Sequence, residues 1–145
     1  MNGEVTSDLL VAGDLLEPAV FTVTREWNQS YLLAEGDAHI RYSNHLYGVM
    51  HPALLLNMSQ HMFSPSFELS EGTAAVLTHN EVEWKNVGRV GQTFTVTFNV
   101  VSTYCRRGRS YQVVDSMVRD ATDREIMFRK STCLLYTSPS PRDRG

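Results

Sequence analysis

The sequence predicts an α+β domain in which one curved antiparallel sheet wraps around a single long apolar helix. Three observations predict it. Between Pro52 and Phe63 the apolar residues Leu54, Leu55, Met58 and Met62 recur at helical spacing. Beyond Pro65 the hydropathy changes to period two and keeps it as far as Thr132, the mark of strands with one buried face. The turns joining those strands are short and carry Gly or Asp, so neighbouring strands run antiparallel.

Each element has its own justification. Ala19-Val-Phe-Thr-Val-Thr24 reads as a first strand, and Thr24 as the N-cap of a helix from Arg25 to Glu35 that Gly36 closes. Pro52 opens the apolar helix in its first turn, where the missing N–H has no partner to lose. That helix is apolar over most of its circumference, so it is expected to be covered on more than one side. Residues 73–84 form the next strand. Residues 92–103 are the clearest one, with Phe94, Val96, Phe98 and Val100 facing the core and Thr93, Thr95, Thr97 and Asn99 facing water. Strands over 110–119 and 125–132 follow, joined through the turn at Gly108 and the polar turn Asp120-Ala-Thr-Asp-Arg124.

With 145 residues, 42% of them hydrophobic and 20% charged, the chain suits a single compact domain. Its expected organisation is an N-terminal segment over 1–18, the domain over 19–132 and a tail over 133–145. A formal charge of −3 and the lack of long basic runs argue against a nucleic-acid platform. The N-terminus lacks a basic region and its apolar stretch is broken by Asp14 and Glu17, so neither a signal peptide nor a membrane span is expected, and a cytoplasmic location is. Cys105 and Cys133 make neither a disulfide framework nor a metal spacing and read as ordinary thiols. From Cys133 onward, Leu-Leu-Tyr-Thr-Ser-Pro-Ser-Pro-Arg-Asp-Arg-Gly145 resembles translated sequencing-adapter sequence and is set aside from the fold, which implies that the natural chain continues differently.

Chemistry is densest between Ala34 and Met58, where a loop bearing Asp37, His39, His45 and His51 runs into the apolar helix. Only two other histidines occur, His61 and His79. A spacing of six between the three loop histidines suits no single helix face, and without a His-x-x-x-His or cysteine pair no metal site is expected. Glycine-rich phosphate loops and a Gly-x-Ser-x-Gly elbow are lacking, so nucleotide-hydrolase and serine-hydrolase chemistry has no motif.

Five pieces in order carry a more specific likeness: Phe21-Thr-Val-Thr24, Ala34-Glu-Gly-Asp37, Val49-Met-His-Pro-Ala53, Val90-Gly-Gln-Thr-Phe94 and Arg107-Gly-Arg-Ser-Tyr111. Together they resemble the MaoC-like family of acyl-thioester hydratases and dehydratases, from about Phe21 to Thr132. The resemblance implies a hotdog fold and the addition of water across the double bond of a trans-2-enoyl thioester of coenzyme A or an acyl carrier protein. No cofactor is implied beyond that carrier, which is part of the substrate. A homodimer or a hotdog heterodimer is implied as well.

Water is a poor nucleophile near neutral pH, so a carboxylate or imidazole must take its proton while donors stabilise the charge growing on the thioester oxygen. On the residues of this chain the resemblance makes Asp37 the base or water holder, with His39 or His51 as its partner. Ala53 N–H would polarise the carbonyl, and Tyr42 would form a wall of the pocket or of an interface; Arg106, Arg107 and Arg109 read first as a solvated hairpin tip and second as contacts to coenzyme A phosphates. Two positions depart from the family: its histidine five residues after the aspartate is Tyr42 here, and its His-Gly at the helix start is His51-Pro52. Two other readings stay open: a non-catalytic hotdog subunit, including half of a double hotdog, and a hotdog thioesterase.

Overall fold

The computed structural model describes residues 10–35 and 48–137. Five strands form one sheet: β1 (Leu15–Thr22), β2 (Thr73–Trp84), β3 (Thr93–Arg106), β4 (Arg109–Asp120) and β5 (Glu125–Thr137). Their order is β1-β3-β4-β5-β2, with every neighbouring pair antiparallel. Helix α1 (Arg25–Glu35) follows β1; helix α2 (Pro52–Met58) and a 3₁₀ turn (His61–Phe63) precede β2. The curved sheet wraps around α2, and the predicted α+β hotdog architecture is the one observed.

Period two in β3 does what its sequence requires, because Phe94, Val96, Phe98 and Val100 are all buried. They form one core with Val114 and Val118 of β4, Ile126 and Met127 of β5, and Leu54 and Leu55 of α2. A seven-residue helix is not stable in isolation, and each fully buried Leu or Phe contributes about 2 kcal/mol, so packing rather than propensity holds α2. Local signals hold elsewhere. Thr24 caps α1 by accepting from Trp27 N at 3.1 Å. The β4–β5 turn is organised by Asp120, whose Oδ1 accepts from Thr122 Oγ1 at 2.7 Å, Thr122 N at 2.9 Å and Arg124 N at 3.1 Å. The Thr122 hydroxyl, followed by those backbone donors, holds the Asp120 carboxyl below the usual carboxylate range.

Three boundaries differ most from expectation. β1 begins at Leu15, and a bulge between Leu16 and Ala19 accommodates Pro18. β5 continues to Thr137, pairing with β2 as far as Thr73, with Cys133 buried. The apolar helix is shorter than the predicted 52–63, since it ends at Met58 and the chain re-enters a 3₁₀ turn at His61. The cause of that ending lies on β5. Among the described residues, no helix is long and apolar enough to cross a membrane.

The two sheet edges differ. β1 is short, carries Pro18, and is covered at Glu17, whose N–H donates to Ser66 Oγ at 2.8 Å and whose carbonyl accepts from Ser64 Oγ at 2.6 Å. β2 is twelve residues long, contains no proline, and leaves Val76, Leu77 and Trp84 exposed. Among the described residues, β2 is therefore the more open edge.

Candidate active site

His51 is the N-cap of α2, with extended backbone angles that turn the chain into the helix. Its Nδ1 accepts from Ala53 N at 3.1 Å. An accepting Nδ1 carries no proton, so in this geometry the neutral ring holds its hydrogen on Nε2. From the other side, His51 N donates to Oδ1 of the buried Asn28 at 3.0 Å, and the Tyr31 ring lies 5.1 Å from the imidazole. Asn28 and Tyr31 are three residues apart on α1 and so share the helix face turned to His51. A short antiparallel contact fixes the approach to the helix, with Met50 N donating to Gly88 O at 3.2 Å and Val90 N to Gly48 O at 2.8 Å.

Beside this helix start lies a crevice of about 740 Å³, lined by Val49, Met50, Pro52, Leu55, Trp84 and Val87, with Lys85 and Arg89 among its polar margin. Its size and mainly apolar walls suit an organic chain of several carbons. Gly88 lets the walls meet, because a Cβ there would stand 3.0 Å from Met50 Sδ and 3.3 Å from Leu55 Cδ1.

The far end of α2 is organised by a buried cation. Arg129, on the inner face of β5, is 1% exposed. It donates from Nη1 to Leu56 O and to Ser59 Oγ, the latter at 3.0 Å, and from Nε to Asn80 Oδ1 at 2.7 Å. It thus captures a carbonyl of the last helical turn while Ser59 Oγ donates to the same carbonyl at 3.2 Å, which ends the helix at Met58. Next to it His61 is buried against Phe67, with the rings edge to face at 5.0 Å. Burial, reinforced by the Arg129 charge, pushes the His61 pKa down to about 4. Burial also pushes the Cys133 thiol up to about 11 against the pull of Arg129, so it is no thiolate nucleophile at neutral pH.

One expected result follows from His61. The unfolded imidazole protonates near 6.5 and the folded one near 4, so between those values the unfolded chain binds more protons. The contribution is complete above pH 6.5 and is lost as pH falls towards 4, to a limit of about 3 kcal/mol. In urea unfolding at pH 7.5 and 4.5, His61→Leu is expected to lose about 2 kcal/mol less on acidification than the wild-type protein does. Equal losses would remove His61 as the source.

The structure brings two of the expected site residues into contact, His51 and Ala53, and adds Asn28 and Tyr31, which the sequence did not single out. The Ala53 N–H expected to face a substrate is engaged by His51 instead. Arg106 and Arg107 sit at the β3–β4 turn, the opposite end of a fourteen-residue strand from the helix start. Asp37, His39 and Tyr42 lie outside the described residues; the segment carrying them joins the end of α1 to Gly48, and both of those elements flank His51. Among the described residues, no three His, Cys, Asp or Glu side chains converge as a metal site.

No protein-family model matches the sequence, and no curated protein matches it. Solved structures do. A monoamine oxidase regulatory protein from Archaeoglobus fulgius is similar over 93% of this chain and 96% of its own, at TM-score 0.73 and 14% identity. An R-hydratase from Pseudomonas aeruginosa is similar over 91% and 90%, at TM-score 0.71 and 10% identity. A MaoC-like dehydratase from Rhodospirillum rubrum is similar over 94% and 99%, at TM-score 0.70 and 13% identity. The chain therefore has the hotdog fold found in MaoC-like dehydratases and R-hydratases.

Proposed function

We propose that the protein hydrates an enoyl thioester, or dehydrates the corresponding 3-hydroxyacyl thioester, with coenzyme A or an acyl carrier protein as the carrier. The observation that supports this most is an oriented imidazole at the helix start: His51 is held through Nδ1 by Ala53 N–H, and its chain neighbours Met50 and Pro52 line about 740 Å³ of mainly apolar space. The acyl chain would occupy the crevice and the thioester carbonyl would accept from His51 Nε2–H, in place of the Ala53 N–H already engaged. Asp37 would take a proton from water as its oxygen bonds to the β-carbon, and that proton would return to the α-carbon. His39 is the rival partner for Asp37, and Tyr42 a wall of the same site. No cofactor enters this scheme.

The assembly proposed is a dimer, homomeric or with a second hotdog chain, formed by antiparallel pairing of β2 edges. Support comes from the open β2 edge and the covered β1 edge. A cytoplasmic location accords with the two free cysteines, Cys105 and Cys133.

Absorbance of the conjugated thioester on adding the protein to short trans-2-enoyl coenzyme A tests the reading, with free thiol measured in parallel. Loss of absorbance without thiol release is the expected result. Thiol release from a saturated acyl thioester would instead mark a thioesterase. Binding without turnover across several chain lengths would mark a non-catalytic acyl-thioester subunit, the outcome that Tyr42 at the family's histidine position favours.

A further inference from the structure

A buried guanidinium ordinarily sits against a carboxylate, because a charge away from water is costly unless it is paired. Arg129 has no such partner. It is 1% exposed, and its three acceptors, Leu56 O, Ser59 Oγ and Asn80 Oδ1, are all neutral. Among the described residues no carboxylate forms an ion pair with it. On the adjoining strand β4, Asp115 stands opposite Lys130 and so points to the other face of the sheet. Asp120 is buried four residues beyond Ser116, about 14 Å along the strand, and is occupied by its own turn. The end of α2 offers at most about half a negative charge through its dipole.

The donors around Arg129 are unmatched as well. Its Nη1 and Nε are engaged, while Nη2 has no acceptor among the described residues. Ser116 stands opposite Arg129 on the same face of the sheet, and its Oγ is buried with no hydrogen-bond partner among them. His61, close enough to Arg129 to feel its charge, has a buried Nε2 that is likewise unpartnered. A neutral imidazole can carry its hydrogen on that atom. The cluster lies one step beyond the crevice. Trp84 lines the crevice and pairs with Met127; the next inner pair is Val82 with Arg129, about 7 Å along the strands. On the helix, Leu55 lines the crevice and Leu56 supplies the carbonyl that Arg129 holds. From His51 to Leu56 is about 8 Å along the axis of α2.

We propose that Arg129, with Ser116 and His61, binds one carboxylate, and that this carboxylate is the far end of the acyl chain whose thioester lies at His51. The inference rests on the thioester reading and deepens it, because the substrate class becomes the thioester of a short dicarboxylic acid. The mainly apolar walls of the crevice hold the carbon chain, and the polar cluster beyond them selects its length and its end group. A carboxylate brings the missing negative charge and lone pairs enough for several donors at once. Arginine suits the task, since its charge persists when buried and its fork reaches helix and strand through Nη1 and Nε while leaving Nη2 for the ligand.

Thioethers of coenzyme A, which neither hydrate nor hydrolyse, read binding without turnover. One series ends in a carboxylate and a matched series in the isosteric carboxamide. At the chain length that spans about 8 Å, the carboxylate is expected to bind about 10- to 100-fold more tightly, with the preference falling for shorter and longer chains. The corresponding enoyl thioesters are expected to show the same ratio in kcat/KM. Ser116→Ala removes a hydroxyl with no partner among the described residues and so spares the fold; it is expected to reduce the preference about three- to tenfold. Arg129→Lys, assayed at a temperature where it is folded, is expected to reduce it further. Acetate against acetamide tests the end group alone. A thermal midpoint raised by acetate only, with no preference between the thioether series, would show a site for a small free anion and overturn the acyl assignment. Equal affinity for the two series with no effect of acetate would overturn the site itself. Failure of the hydratase reading looks different: neither enoyl thioester turns over, while the carboxylate thioether still binds more tightly and Ser116→Ala still weakens it.

Discussion

Arg129→Met is expected to destabilise the fold by about 3–5 kcal/mol, read as a lower urea midpoint at constant slope. Methionine replaces much of the arginine stem, so the loss is not chiefly a cavity. It comes from Leu56 O, Ser59 Oγ and Asn80 Oδ1, each of which loses a donor. Unsatisfied buried acceptors cost about 1–3 kcal/mol apiece, although Ser59 keeps its bond to Leu56 O. Arg129→Lys is expected to recover only part of the loss, because a point charge does not reproduce the fork that spans helix and strand. A loss under 1 kcal/mol for the methionine variant would show that solvent or rearrangement satisfies these acceptors and that Arg129 does not hold the helix end.

That arginine also marks where sequence reading stops. The pattern of β3 is unambiguous, because apolar Phe94, Val96, Phe98 and Val100 alternate with Thr and Asn, and the structure buries the apolar set. β5 offers no such asymmetry. Its inner residues are Met127, Arg129, Ser131 and Cys133, while Phe128, Lys130, Thr132 and Leu134 face the other way, so hydropathy alone does not select the buried face. The same holds in β4, where buried Gln112, Ser116 and Asp120 alternate with Val113 and Met117. The length of α2 was illegible for the same reason, since the group that ends it is 73 positions away from Leu56. Local chemistry was readable: the Thr24 cap, the Asp120 turn and the proline at the start of α2 all act within a few residues of themselves. At the site, the His-Pro signal located the helix start, and Asn28 escaped notice because a polar residue in a helix gives no sign in sequence that it faces a backbone N–H from a distant segment.

Asp37→Asn is expected to lower kcat for enoyl-thioester hydration by about 10²–10⁴-fold, the range set by removal of a general base. The upper end is favoured under the proposed scheme, because Tyr42 stands in sequence where the resembling family has a histidine, which leaves the proton of water to the carboxylate. His51→Ala removes a proposed single donor to the carbonyl, for which about 10²–10³-fold is typical. It also removes the side chain that accepts from Ala53 N, so that N–H becomes available to the substrate and part of the loss is offset. The two losses should therefore be unequal, with Asp37 the larger. A pH profile separates the roles. In the wild-type protein kcat/KM is expected to climb with pH as the base ionises, and Asp37→Asn should abolish that limb while His51→Ala retains it. Retention of the limb in the asparagine variant would transfer the base role to His39 or another group. Wild-type kcat in Asp37→Asn would remove Asp37 from the chemistry and leave the oriented His51 and its crevice as a binding site alone.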